Sequence, residues 1–211
     1  MSLLNTTNDG LPNVLMVLCK AISLEGPIEK SRLAEICSTR EEKSEKQIRQ
    51  SLLRWTQLGL FSDDDGKISF SVAATEKLGN RKSPEVVAKE LPSIARHLIF
   101  KNDNNKNFWD AENSKAADLT RALSWSLSQD IYRFSLKTPE EIEAIEHRQV
   151  VDPSKRMFQN YTRSNGLRFW ARFLGFSWVS KETMIDPTQA VRDECRTIFE
   201  TGKDYAASEF V

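Results

Sequence analysis

The sequence predicts a mainly α-helical protein: two winged helix-turn-helix domains, each with a small β-hairpin wing, joined by a helical connector. Residues 11–71 read as three helical segments followed by two short apolar strands around an Asp-Gly turn, the element order of a winged helix. The C-terminal half repeats that order in degenerate form. Both third helical segments also end in a related tripeptide, Leu58-Gly59-Leu60 and Leu174-Gly175-Phe176. The predicted boundaries are 1–80 for the first winged helix, 81–112 for the helical connector and polar loop, and 113–211 for the second winged-helix-like domain.

The first helix places Leu11, Val14, Leu15, Leu18 and Ile22 on one face. Asp9 offers a cap, and Pro12 suits the first turn, where its missing N–H would have no helical partner. The run LEGP then breaks the helix. IEKSRLAEICS predicts a shorter helix with Leu33 and Ile36 inward, and Ile28 in a short extended piece before it. The third helix is SEKQIRQSLLRWTQLGLF, residues 44–61. Ser44 and Gln47 have the spacing of a capping box, in which each side chain satisfies an orphan amide of the first turn. Ile48, Leu52, Trp55 and Leu58 point inward, and Gly59 can take the left-handed conformation that ends a helix. SDDDGK then turns the chain into a hairpin.

Residues 72–110 form the connection, with PEVVAKELPSIARHLIF helical and kinked or restarted at Pro92. KNDNNKN is a polar loop. In the second half, SKAADLTRALSWSLSQD brings Ala116, Leu119, Leu123 and Leu127 near one helical face, and IYRFSLK is short and extended. Thr138 and Glu141 make a second capping box with Pro139 at the first helical position. RMFQNYTRSNGLRFWARFLGF forms one helix or two, with Gly166 as the interruption. Trp55 stands four residues before its glycine and Trp170 five before Gly175. SWVSKETMIDP predicts the second hairpin, and TQAVRDECRTIFE a closing helix from Thr188.

The chain has 211 residues and balances 30 Lys and Arg against 30 Asp and Glu. Zero net charge counts against a histone-like, globally basic binder and leaves room for a local basic patch. Cys19, Cys37 and Cys195 form no C-x-x-C pair, and neither His97 nor His147 lies near one of them, so no metal is expected. Cys19 and Cys37 fall on apolar faces and read as buried free thiols, which suits a reducing cytoplasm. MSLLNTTNDG lacks the pattern of a signal peptide, and VLMVLC is too short to span a bilayer. A cytoplasmic protein without membrane contact is expected. No P-loop, G-x-S-x-G, H-E-x-x-H or dinucleotide fingerprint occurs, so the chain reads as a non-enzyme without cofactors. The carboxylates of TPEEIEAIE suit helix initiation, and His97 reads as an ordinary histidine.

In a winged helix the third helix can enter the major groove. In the first half that nominates Lys43, Ser44, Lys46, Gln47, Arg49 and Gln50. Arg can read guanine, Gln can read adenine and Lys can neutralise phosphate. The competing reading is a solvated helix face, favoured by Glu41, Glu42 and Glu45 and by the acidic hairpin tip Asp63, Asp64 and Asp65. The second half offers Lys155, Arg156, Arg163, Arg168 and Arg172 with no Asp or Glu from 155 to 175. Gln159, Asn160, Tyr161 and Asn165 add polar groups. If all five cations met phosphates, the log–log salt slope would be about −4 to −5. An acidic protein partner is the alternative for this stretch. Phe158, Tyr161, Phe169, Trp170, Phe173, Phe176 and Trp178 read mostly as core, with a base-stacking platform as the alternative.

The segments MSLLNTTNDGLPNVLMVL, LRFWARFLGF and MIDPTQAV resemble DpdG-like proteins, and the resemblance runs over most of the chain. Those proteins are encoded in bacterial clusters that place deazaguanine derivatives in DNA. The resemblance implies a component of the restriction or phage-defence arm, working beside helicase-like and nuclease-like proteins; it carries over no catalytic residue. Taken with the residue-level reading, it predicts a non-catalytic subunit that binds double-stranded DNA and other proteins of the cluster, with a homo-oligomer compatible. The alternatives are a protein-only adaptor that docks through its winged helices, and a dimeric winged-helix transcription regulator.

Overall fold

Helix covers most of the chain, and each helix follows an apolar stripe. The computed structural model describes residues 3–4, 11–39, 42–79, 83–109, 115–199 and 202–206, with the backbone alone for Glu42 and Lys43. Asp9, Glu41 and the side chains of Glu42 and Lys43, all singled out from the sequence, lie outside the described residues. The first half runs α1 (Pro12–Glu25), β1 (Ile28–Glu29), α2 (Lys30–Cys37), α3 (Glu42–Leu58), β2 (Phe61–Asp64), β3 (Lys67–Phe70) and α4 (Val72–Leu78). After α5 (Pro84–Ile99) the second half runs α6 (Ala117–Leu127), β4 (Ser135–Leu136), α7 (Pro139–Gln149), α8 (Tyr161–Phe173), β5 (Ser177–Val179), β6 (Thr183–Ile185) and α9 (Thr188–Ile198). Each half holds a three-stranded antiparallel sheet, ordered β1-β3-β2 and β4-β6-β5.

The repetition reaches individual backbone bonds. Gly59 (φ 94°) and Gly175 (φ 79°) follow α3 and α8 in left-handed conformations. The next amides reach back to Trp55 and Ala171, each at 2.8 Å. This bond closes the helix end by satisfying an orphan carbonyl. Past each hairpin, the Ser71 amide bonds the Leu60 carbonyl and the Asp186 amide the Phe176 carbonyl, both at 2.9 Å. By these bonds Trp55 corresponds to Ala171, so Trp170 stands one position earlier in its own half. The two indoles are fully buried and pack on each other, with centroids 5.6 Å apart and planes at 44°.

One apolar cluster runs through both halves. α5 packs on α1, α4 and α9, and α8 touches α1. Leu3 and Leu4 are fully buried in this core. Their amides donate to the Asp118 carboxylate of α6, at 3.2 and 2.7 Å. The Leu4 backbone also lies against α8 at Gly166, where an added Cβ would meet the Leu4 carbonyl oxygen at 3.1 Å.

Several expectations need correction. α8 runs unbroken through Gly166, whose absent side chain makes room for Leu4 and does not interrupt the helix. α3 is already under way at Glu42, so Ser44 cannot be its N-cap; the Ser44 hydroxyl instead accepts from the Thr39 amide at 2.9 Å. Ile36 is exposed, while Leu33 and Ala34 are buried. Residues 72–78, expected as connection, form α4, capped by the Ser71 hydroxyl, which accepts from the Ala74 amide. Pro92 lies inside a single α5 and does not restart it. The Thr138–Glu141 capping box is present with both of its bonds. The Asp-Gly hairpin is also formed, with Asp65 and Gly66 at positive φ as such a turn requires.

All three cysteines are free. Desolvation raises the Cys19 thiol pKa well above its ordinary value, and pushes that of Cys37 up to about 11. Among the described residues no group of three or more His, Cys, Asp or Glu could hold a metal, and no helix is long and apolar enough to cross a membrane.

Candidate nucleic-acid interface

α3 buries Ile48, Leu52, Trp55 and Leu58, which turns its other side outward. Lys46 and Arg49 are exposed there, with Gln47 and Gln50 half-buried. Arg49 is already engaged: its guanidinium bonds Glu45 one turn earlier, at 2.6 and 2.9 Å. Lys30, beside this face, sits 3.6 Å from Asp63 of the hairpin. The Asp63 carboxylate also accepts from the Gly66 amide, which shapes the acidic tip. Local carboxylates therefore offset the Lys30 and Arg49 charges of this face, and Lys46 is the cation on it without a counter-ion among the described residues.

The second half differs because α8 contains no acidic residue. Asn160 caps it, its side chain accepting from the Arg163 amide at 3.1 Å. At helical spacing Tyr161, Asn165, Arg168, Phe169 and Arg172 form one outward stripe. Tyr161 is 63 % and Phe169 54 % exposed, which corrects their assignment to the core; Trp178 on the following hairpin is also exposed. Arg172 is exposed and lines a depression with Lys89 and Arg196, two cations not singled out from the sequence, and with the carboxylates of Glu90 and Asp193, of which Glu90 lies 3.6 Å from Lys89. Arg168 is half-buried beside Asn165; its Nε and Nη2 find no acceptor among the described residues.

Arg163 does not belong to this surface. It is 4 % exposed, and its guanidinium donates to the Met157 carbonyl at 2.9 Å. It lies four residues before Leu167 and seven before Trp170, on the buried stripe of α8. Arg156 holds the α7–α8 connection by donating to the Val150 and Val151 carbonyls at 3.0 and 3.4 Å. Glu146 braces the same connection from beneath, accepting from the Met157 and Phe158 amides. Lys155 is exposed, 3.9 Å from Asp152. Of the five nominated cations, Arg168 and Arg172 are thus the ones left without a carboxylate or backbone-carbonyl partner among the described residues, for which the salt slope would be about −2. Arg96 of α5 fixes the far end of α8. It donates to the Leu174 carbonyl at 2.8 Å and to Glu194 of α9 at 2.9 Å, with Asp193 at 3.4 Å.

The model of the DpdG-like family matches residues 1–211. The chain belongs to the DpdG-like family. Membership covers the whole DpdG-like chain and ties it to the deazaguanine-modification and defence clusters of that family. No curated protein and no solved structure matches it.

Proposed function

We propose that this DpdG-like chain is a non-catalytic, cytoplasmic DNA-binding subunit of a bacterial restriction or anti-phage complex, acting with helicase-like and nuclease-like partners. Its two repeats are winged helices, and α8 is the helix that meets double-stranded DNA. The acid-free outward stripe of α8, with Arg168 and Arg172, is the observation that carries this reading. The pairing of Arg49 in α3 with Glu45 and of Lys30 in α2 with Asp63, together with the acidic β2–β3 tip, argues that the first half contributes less. Phosphate neutralisation needs cations without a protein counter-ion, and each such contact adds about 0.9 to the magnitude of the salt slope.

Anisotropy titration of a labelled duplex at several salt concentrations tests the reading. Replacing Arg168 and Arg172 together by Ala is expected to weaken binding and flatten the slope by about 2. Arg49→Ala changes the slope little, since Arg49 is held by Glu45. Unchanged affinity and slope in the double variant would remove α8 as the contact. A protein-only adaptor is the second reading, favoured by the exposed acidic tip at Asp63–Asp65. It predicts a complex with a neighbouring cluster protein that survives nuclease and is broken when these aspartates become Asn.

A further inference from the structure

A separate cleft of about 570 Å³ opens between the start of the second half and the α7–α8 connection. Its size falls within the range of small-molecule sites. Trp109 and Trp125 both line it, together with Phe108, Arg121 and Lys155. Asn107, at φ 57°, turns the chain into the Phe108–Trp109 pair, whose rings meet edge to face at 5.4 Å. Trp109 nevertheless leaves 63 % of its surface exposed. Trp125 is anchored: its indole N–H donates to Gln149 at 2.7 Å, and its ring packs on Phe134 and Phe158.

The cations complete the picture. Arg121 of α6 is 5 % exposed, and its guanidinium lies 5.7 Å from the Trp109 ring centroid. Its Nε and Nη1 find no acceptor among the described residues. Buried donors normally have partners, so this is an incomplete polar site. Three carboxylates stand nearby: Asp118 is bonded to the Leu3 and Leu4 amides, Glu146 to those of Met157 and Phe158, and Asp152, on the cleft wall, to Ser154 with the Lys155 ammonium at 3.9 Å. Lys155 places its ammonium 5.7 Å from the same Trp109 ring. An exposed indole flanked by two cations, one buried with unused donors, suits a flat π-system that carries an anionic group. Nε and Nη1 are closed to water, so a phosphate oxygen reaches them only with movement of the side chains that cover them.

We propose that this cleft binds a single nucleotide, its base against Trp109 and its phosphate at Lys155 and Arg121. It is distinct from the duplex contact assigned to α8 and does not depend on it. The nucleotide's source is either free in solution or an unpaired position of a strand.

Isothermal titration of the full chain with 2′-deoxyadenosine 5′-monophosphate, deoxyadenosine, inorganic phosphate and a short oligodeoxyadenylate tests the proposal. Saturable one-to-one binding of the monophosphate is expected, with deoxyadenosine and phosphate each at least about tenfold weaker. Trp109→Ala should weaken the monophosphate at least about fivefold, the lower end of a lost base stack. Lys155→Gln should weaken the monophosphate and leave deoxyadenosine unchanged. Both positions are exposed, so both variants should melt near the native temperature. Oligomer binding tighter than the monophosphate supports the proposal with a strand as source; equal binding supports it with the free nucleotide. The proposal is overturned if neither monophosphate nor oligomer binds saturably, if phosphate alone binds as tightly as the nucleotide, or if Trp109→Ala binds like the native chain. Arg168→Ala with Arg172→Ala keeps nucleotide binding, so loss of the duplex reading and loss of this one are separately visible.

Discussion

Replacing Gly166 by Ala tests the seating of the N-terminal segment. In an ordinary buried helix the change would stabilise by about 1 kcal/mol, through helix propensity and a less flexible unfolded chain. Here the three nearest atoms to the new methyl all belong to Leu4: the carbonyl oxygen at 3.1 Å, Cα at 3.4 Å and the carbonyl carbon at 3.7 Å. Leu4 must give way by a few tenths of an ångström. It has little freedom to do so. Its side chain and that of Leu3 are fully buried, and both amides are held by Asp118. Bonds to a charged acceptor contribute about 1.5–3 kcal/mol each, so straining both and loosening two buried leucines costs about 2–3 kcal/mol. The net expectation is destabilisation by about 1–2 kcal/mol, a drop in melting temperature of about 2–8 °C for a chain of this size. Urea unfolding of four proteins measures it: native and Gly166→Ala, each with and without residues 1–4. In the shortened chain the obstacle is gone, and Gly166→Ala should become stabilising by about 1 kcal/mol. A stabilised full-length variant, or the same change in both backgrounds, would refute the reasoning.

Asp118→Asn leaves two amide donors facing one carbonyl oxygen and should lower urea stability by about 1.5–3 kcal/mol. Arg163→Ala should cost about 2–3 kcal/mol in the same assay while leaving duplex affinity and salt slope unchanged, the reverse of Arg172→Ala. At pH 8 a thiol-reactive dye should label Cys19 and Cys37 far more slowly in the native chain than in urea. The Cys37 rate should climb as pH approaches about 11. Since folding raises the Cys37 pKa, its neutral form supports the native state below the ordinary thiol range, and that support is lost as pH rises through about 11.

Features that depend on neighbours in the chain were legible in the sequence. The Thr138–Glu141 box, the Asp-Gly hairpin and the left-handed Gly59 each involve residues within one turn, and each is present. Ser44 has the right spacing for a cap, but spacing alone does not exclude the further turn with which α3 begins. Charge alone points Arg163 outward, yet it is buried. Its offsets from Leu167, Trp170 and Leu174 are four, seven and eleven, so periodicity already placed it on the buried side. Tyr161 and Phe169 erred the other way, counted as core for their hydrophobicity while lying on the outward stripe. The role of Gly166 was out of reach, because its cause is a segment more than a hundred residues earlier in the chain. The cleft at Trp109 likewise needs Arg121 and Lys155 brought together by α6 and the α7–α8 connection.

The contact between Trp55 and Trp170 sets an angle. Each indole grows from the helix that turns its half's charged face outward, and each is sealed against the other. The two faces therefore cannot swivel independently; a partner touching both meets them at one fixed bearing. Trimming either ring would re-aim both surfaces without altering a single residue on them, and would do so most for a partner large enough to span the pair.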